Sequence, residues 1–197
     1  MHKSRRLRLV VIAGALGALA VFGVGGSASA TSSTAAKPGV AKITIDFDRK
    51  LGPLNGLAFN GPATVAQGDE LQIKNNTNPH AIGPHSFSLV HKRDLPHGKN
   101  QIKACGKKLK GICGAVVKWH DVNVETGQIG ENPVDVGKNG WDTKGNLKHK
   151  GDSFILERGR GQKFQRPVTA PVGTTLYYMC VVHPWMQGKV EVVAAGS

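Results

Sequence analysis

Short segments that alternate apolar and polar residues, cut by glycine and proline, recur from Lys42 to the C-terminus. Beyond the first thirty residues, no stretch sustains an apolar repeat of 3.6 residues. Lys42–Phe47, Glu70–Lys74, Ser86–Val90, Thr175–Cys180 and Lys189–Val193 each have the pattern of a half-buried strand. Asn75-Asn76-Thr77-Asn78-Pro79 ends the second of these as a turn. This pattern argues against a helical bundle and predicts an all-β sandwich or barrel. The 26 glycines and 10 prolines supply the turns such a fold needs. With 197 residues the chain has room for one domain, or one domain with a large insertion. It is too short for a (β/α)8 barrel or a multi-domain oxidase.

The N-terminus reads as an export signal. Lys3, Arg5, Arg6 and Arg8 precede an apolar run from Leu9 to Gly25, and Ala28-Ser29-Ala30 is a small-residue cleavage site. Residues 1–30 are therefore expected to be removed, with 31–40 a flexible leader and 41–194 the folded domain. An uncleaved anchor helix is the alternative. The run, however, is only 17 residues long and contains four glycines, at the bottom of the spanning range. Ser4-Arg5-Arg6 leaves the twin-arginine route open beside the general one. Export predicts an extracytoplasmic location (periplasm, cell envelope or secreted), with no stable membrane span after cleavage. It also places the cysteines where disulfides persist.

Charge is unevenly spread. The net charge is +13, and Lys92–Arg166 holds 16 basic and 8 acidic residues. Rich in Gly, Asn and Lys, this part reads as a long basic insertion, about 92–151, of irregular structure. A short hairpin is expected near Val117–Val124. Cys105 and Cys113 are the expected disulfide staple, and closing so short a loop stabilises by about 2.5 kcal/mol on chain-entropy grounds. The insertion is either a solvated loop or a docking surface for an acidic redox partner, the anionic envelope or a polyanion. No nucleic-acid partner is expected for an exported chain in which no aromatic interleaves with the lysines at 99–110.

Pairing Cys105 with Cys113 leaves Cys180. It ends a strand and is followed at +3 by His183 and at +6 by Met186, before a new strand begins after Gly188. Thiolate, imidazole and thioether on one short loop are ligand types suited to copper that alternates between two oxidation states. A second histidine is needed from elsewhere. His85, in Gly83-Pro84-His85-Ser86-Phe87, opens a strand and is the better candidate, with His80 as its competitor.

The run Cys180–Val190 resembles the copper loop of the cupredoxins, the small blue copper proteins, with Cys-to-His and His-to-Met spacing similar to the amicyanin/plastocyanin type. Lys74–Thr77 and Pro84–Phe87 are similar to the family's strand carrying the first histidine. Where many members have Asn after that histidine this chain has Ser86, whose hydroxyl can do a similar job. The resemblance covers roughly 41–91 and 152–194 and implies an antiparallel Greek-key β-sandwich. The basic insertion falls between the strand of the first histidine and the strand of the cysteine. It implies one type 1 copper held by His85, Cys180 and His183, with Met186 axial. His183, Pro184 and Trp185 would form an exposed electron port and docking patch.

The remaining histidines of the insertion, His91, His97, His120 and His149, are expected to be solvated. Asp46 and Asp48 read as a solvated strand face rather than a catalytic pair. The expected function is that of a monomeric, exported electron carrier serving redox protein partners, and not an enzyme. Copper enzymes need further centres, usually marked by His-x-His pairs, and the chain has none. The competing reading is copper delivery or storage with the same ligands.

Overall fold

The computed structural model describes residues 37–52, 56–78, 82–130, 140–141, 153–156 and 161–196. The expected signal and most of the leader lie outside the described residues, as do His80 and His149. Nine strands run in chain order: β1 (Val40–Phe47), β2 (Leu57–Asn60), β3 (Thr64–Ala66), β4 (Glu70–Asn75), β5 (His85–Val90), β6 (Ser153–Leu156), β7 (Lys163–Pro167), β8 (Thr175–Met179) and β9 (Gln187–Val193). They form two sheets, ordered β2-β1-β4-β7 and β3-β9-β8-β5-β6. The expected two-sheet sandwich is present. Two of its pairings, β1 with β4 and β3 with β9, are parallel.

Alternation explains the core between the sheets. Ile43 and Ile45 of β1, Leu71 and Ile73 of β4, Phe87 and Leu89 of β5, and Leu176 and Tyr178 of β8 all point inward. Ile43, Ile45, Leu71, Ile73, Phe87 and Leu176 are wholly shielded from solvent. Burying each such side chain contributes about 1.5–3 kcal/mol. Trp141, which no strand pattern marks, is also fully buried. Its ring meets Phe87 edge-on at 5.2 Å, and its indole N–H donates to the Leu71 carbonyl at 3.2 Å.

The stretch between β5 and β6 departs from expectation. Its described part is mostly helical from residue 98 to 119, so Val117–Trp119 end a helix, and the antiparallel pairing that follows is a single bridge between Val122 and Ile129. Two helices, α1 (Gly98–Lys108) and α2 (Ile112–Trp119), are joined by the Cys105–Cys113 disulfide. The apolar stripe of α2 is Ile112, Cys113, Val116 and Val117, the spacing of one helix face. Two turns are too short for that period to stand out in the sequence, and the lysines around α1 obscure it further.

These helices cover the outer face of the second sheet. Cys105, Cys113 and Val116 pack with Val90, Met179 and Val181 in a second, smaller core. Strand β5 is consequently buried on both faces, all six residues of it, including Ser86 and Ser88. A strand that alternates apolar and polar residues is thus not half-exposed here, because the connecting segment has folded back over its polar side.

At the β8–β9 pair, Tyr178 lies opposite Gly188. The Tyr178 ring is held edge-to-face by Phe59 and tilted against Phe87, at 5.2 and 4.7 Å between centroids. A Cβ on residue 188 would fall 2.4 Å from that ring. Gly188→Ala is therefore expected to destabilise the fold by about 1–3 kcal/mol, the usual range for overpacking a core. Urea unfolding followed by tryptophan fluorescence checks this, and an unchanged midpoint contradicts it.

Candidate metal centre

The pairing of β5 with β8 brings the start of one strand beside the end of the other, since Ser88 lies opposite Met179 and Val90 opposite Tyr177. His85 opens β5 and Cys180 directly follows β8, so both sit at the same end of the sandwich. Both are fully buried. A ring nitrogen of His85, the Cys180 sulfur and a ring nitrogen of His183 all lie within 4.8 Å of one another.

The protonation of His85 follows from counting hydrogens. Its Nε2 lies 3.0 Å from Thr77 Oγ1. The Thr77 hydroxyl has one proton, which goes to Asn75 Oδ1 at 2.7 Å. Toward the ring, Thr77 must then accept, so Nε2 carries the hydrogen. Nδ1 of the neutral ring is left with its lone pair, buried and without a hydrogen-bond partner among the described residues. Burial, and next the neighbouring His183, hold the His85 pKa down at about 4. A buried imidazole with an unused lone pair beside a thiol is a donor prepared for a cation.

The Cys180 sulfur accepts the backbone N–H of Ser86 at 3.3 Å and that of His183 at 3.4 Å. Burial pushes the thiol pKa up, and these hydrogen bonds oppose it. His183 is half-buried, its Nδ1 3.7 Å from the sulfur and its ring 4.9 Å from that of His85. Burial lowers its pKa, against a hydrogen bond with the Ile82 backbone. The loop is narrow because the Cys180 N–H donates to the Met186 carbonyl at 3.0 Å and the Met186 N–H to the His183 carbonyl at 2.8 Å. Cys180 and Met186 both reach into the main core. One thiol and two imidazoles form a donor set that fits copper, and the buried Met186 lies on the same loop.

Several expected roles are modified. Pro184 is buried rather than exposed, and a Cβ added to Gly106 of α1 would lie 3.3 Å from its ring. Trp185 is half-buried, and its ring meets that of His183 at 5.2 Å. Helix α1 thus forms one wall of the loop that follows Cys180. His120 is not solvated: it is fully buried, because α2 presses the residue after its last turn against β6. Its Nε2 lies 2.9 Å from Ser153 Oγ. His97 is exposed and His91 half-buried. Asp46 accepts from Thr44, Asn60 and Asn76, away from the donors, and no catalytic pair forms with Asp48.

Sequence reasoning missed Thr77 as the partner of His85 and Asn75 as the acceptor that orients the Thr77 hydroxyl. Their place in a turn rich in Asn and Thr, just before the histidine strand, was the available signal.

No family model matches the chain, and no curated protein matches it by sequence. Solved structures do overlap with it. A purple cupredoxin from Nitrosopumilus maritimus is 14% identical, with a TM-score of 0.38, over 77% of this chain and 98% of that one. Auracyanin A, a "blue" copper protein from Chloroflexus aurantiacus, is 17% identical, with a TM-score of 0.36, over 79% of this chain and 99% of that one. A copper-containing nitrite reductase from Thermus scotoductus is 13% identical, with a TM-score of 0.33, over 79% of this chain but 22% of the enzyme. Overlaps this loose decide nothing about chemistry. The strand order and pairings of the chain itself make it a two-sheet β-sandwich, the architecture that the resemblance to the cupredoxins implies. Among the described residues, no helix is long and apolar enough to cross a membrane.

The His85 ring gives a pH signature for the metal-free protein. Unfolded, it binds a proton below about 6.5, but folded only below about 4. The unfolded state then binds more protons between those values, so the contribution is full above pH 6.5 and is lost as pH falls toward 4. The expected loss reaches about 3 kcal/mol. Urea unfolding at pH 7, 5 and 4 should show it in the wild-type protein and much less in His85→Leu. Parallel pH profiles for the two proteins would contradict the assignment.

Proposed function

We propose that this chain is an exported carrier of single electrons that binds one copper ion. His85, Cys180 and His183 would be its main donors and Met186 a fourth. The observation that carries this reading is the buried, unpartnered Nδ1 of His85 beside the Cys180 sulfur and His183. Bound copper would supply a one-electron couple between Cu(I) and Cu(II). The chain's part is to keep its donors in place through that change. His85 is fixed by Thr77, Cys180 by the Ser86 amide, and the loop by its own backbone hydrogen bonds. Donors held this way need little rearrangement on electron exchange. The full burial of the thiol favours this reading over copper delivery, in which the ion must pass to another protein's ligands.

The carrier would not itself be an enzyme, and its partners would be acidic redox proteins. Support comes from a groove of about 640 Å³ between α1 and the donor loop. Lys99, Lys103 and Lys107 line it from α1, opposite Val182, Pro184 and Trp185. The three lysines are spaced four apart along one exposed helix stripe, and α1 contains no acidic residue. Among the described residues the ion pair is Arg93 with Asp94, so these ammonium groups have no carboxylate partner there. A partner carrying carboxylates would be drawn to the edge where His183 and Trp185 meet.

Adding Cu(II) to the purified protein should give an intense visible thiolate-to-copper absorption, abolished in Cys180→Ser. A colourless protein that binds copper weakly overturns the reading. The charge reversal Lys99→Glu/Lys103→Glu/Lys107→Glu should slow reduction by anionic ferrocyanide about tenfold or more at low salt. It should quicken exchange with cationic hexaammineruthenium and leave the absorption unchanged. Equal rates before and after reversal would place the docking edge elsewhere.

A further inference from the structure

Four buried polar side chains run in a row from the donor loop to the helical segment. Ser86 Oγ accepts the N–H of Val181, the residue after Cys180, at 2.8 Å, while the Ser86 N–H donates to the Cys180 sulfur at 3.3 Å, which brings the hydroxyl beside that sulfur; it is among the groups that pull the thiol pKa down against burial. Ser88 Oγ lies 3.1 Å from Ser86 Oγ, and Ser153 Oγ lies 2.7 Å from Ser88 Oγ. His120 Nε2 closes the row, 2.9 Å from Ser153 Oγ. All four residues are fully buried. Strand geometry produces the row: Ser86 and Ser88 are two apart on the outer face of β5, and Ser153 is the direct partner of Ser88 on β6. The helices that seal this face exclude the water that would otherwise satisfy the hydroxyls.

Each hydroxyl has a single proton, so the row is ordered in one of two senses. If His120 Nε2 carries a hydrogen, Ser153 accepts it and passes its own proton to Ser88, and Ser88 does the same to Ser86. Among the described residues, the Ser86 proton then has the Cys180 sulfur to point to. If Nε2 presents its lone pair, every proton turns the other way, and Ser86 donates to Ser88 instead. A mixed order leaves two protons or two lone pairs facing each other in a buried place, which is unfavourable.

We propose that His120 is a positioning residue for the donor site, setting through Ser153 and Ser88 whether the Ser86 hydroxyl donates to the Cys180 sulfur. Its functional consequence rests on the copper reading. A proton aimed at the sulfur withdraws charge from it, favours the reduced ion and raises the reduction potential. The segment between β5 and β6, which supplies no donor, thereby enters the electronic environment of the site.

The test is the reduction potential of the copper-loaded protein by film voltammetry, with its visible absorption. Ser86→Ala, Ser88→Ala and Ser153→Ala should lower the potential to a similar extent. The Ser86→Ala/Ser153→Ala pair should add nothing to either single change, the mark of groups acting as one unit. His120→Phe should give the same shift. His120→Gln, whose amide can still donate to Ser153, should restore most of the wild-type value. If Ser88→Ala and Ser153→Ala leave both readouts at wild type, or if the shifts add, the proposal is overturned. It is also overturned if Ser86→Ala itself has no effect. Should His120→Phe fail to fold, the small serine truncations decide alone. Should Cu(II) give no thiolate absorption, the copper reading fails separately, and the row is judged in the metal-free protein. There, ring ¹⁵N shifts of His120 measured by NMR should move in Ser86→Ala if the row is ordered end to end. Unmoved shifts would show that it is not.

Discussion

Two hydrogen bonds made by Ser86 join the halves of the donor site. Its backbone N–H goes to the Cys180 sulfur, and its hydroxyl receives the N–H of Val181. The residue after the first histidine thus ties β5 to the chain on both sides of the thiol bond it contacts. Remove this tie, and His85 and Cys180 belong to neighbouring strands with no contact of their own fixing the separation of their donor atoms. The β5–β8 pairing supplies coarse alignment, and Ser86 supplies the local constraint. Behind it, the inward set of Phe87, Leu89, Leu176 and Tyr178 fixes the register, because a slip of one residue would turn every one of them outward.

Much of the sandwich was legible because it obeys period two. The strands at Lys42, Glu70, Ser86, Thr175 and Lys189 all stand where alternation places them, and of the residues singled out by spacing, Cys180 and His183 come together with His85. Strands β2, β3, β6 and β7 were not, since three to five residues carry too little pattern. The helices were missed for a related reason. Helix α2 has only two turns, and lysines occupy most of α1. His120, Thr77 and Trp141 were illegible for different reasons. His120 and Trp141 meet partners 33 and 70 residues away, which no local window contains, whereas Thr77 stands eight residues before His85 but in a turn with no apolar period to mark it.

The second core changes what the basic segment is. A lysine-rich connection without packing would be a solvated loop, but Cys105, Cys113 and Val116 give this one an apolar underside. The disulfide ties the two helices of eleven and eight residues together, lengths that are marginal for helices standing alone. Packing then fixes α1 beside Pro184, and Gln187 reinforces the seam by donating to the carbonyls of Pro96 and Pro184 at 2.9 and 2.8 Å.

Strand polarity sets where that segment may grow. His85 lies at the donor end of β5, and the chain leaves from Val90 at the other end. It returns along β6 beginning at Ser153, opposite Ser88. Neither anchor of the segment is itself a donor, although its helices reach back to the loop. Lengthening a connection anchored this way adds little closure entropy and moves no ligand. The donors and the lysine stripe of α1 are specified by separate pieces of chain, so the lysines shown to other molecules can be rewritten while the donors are kept.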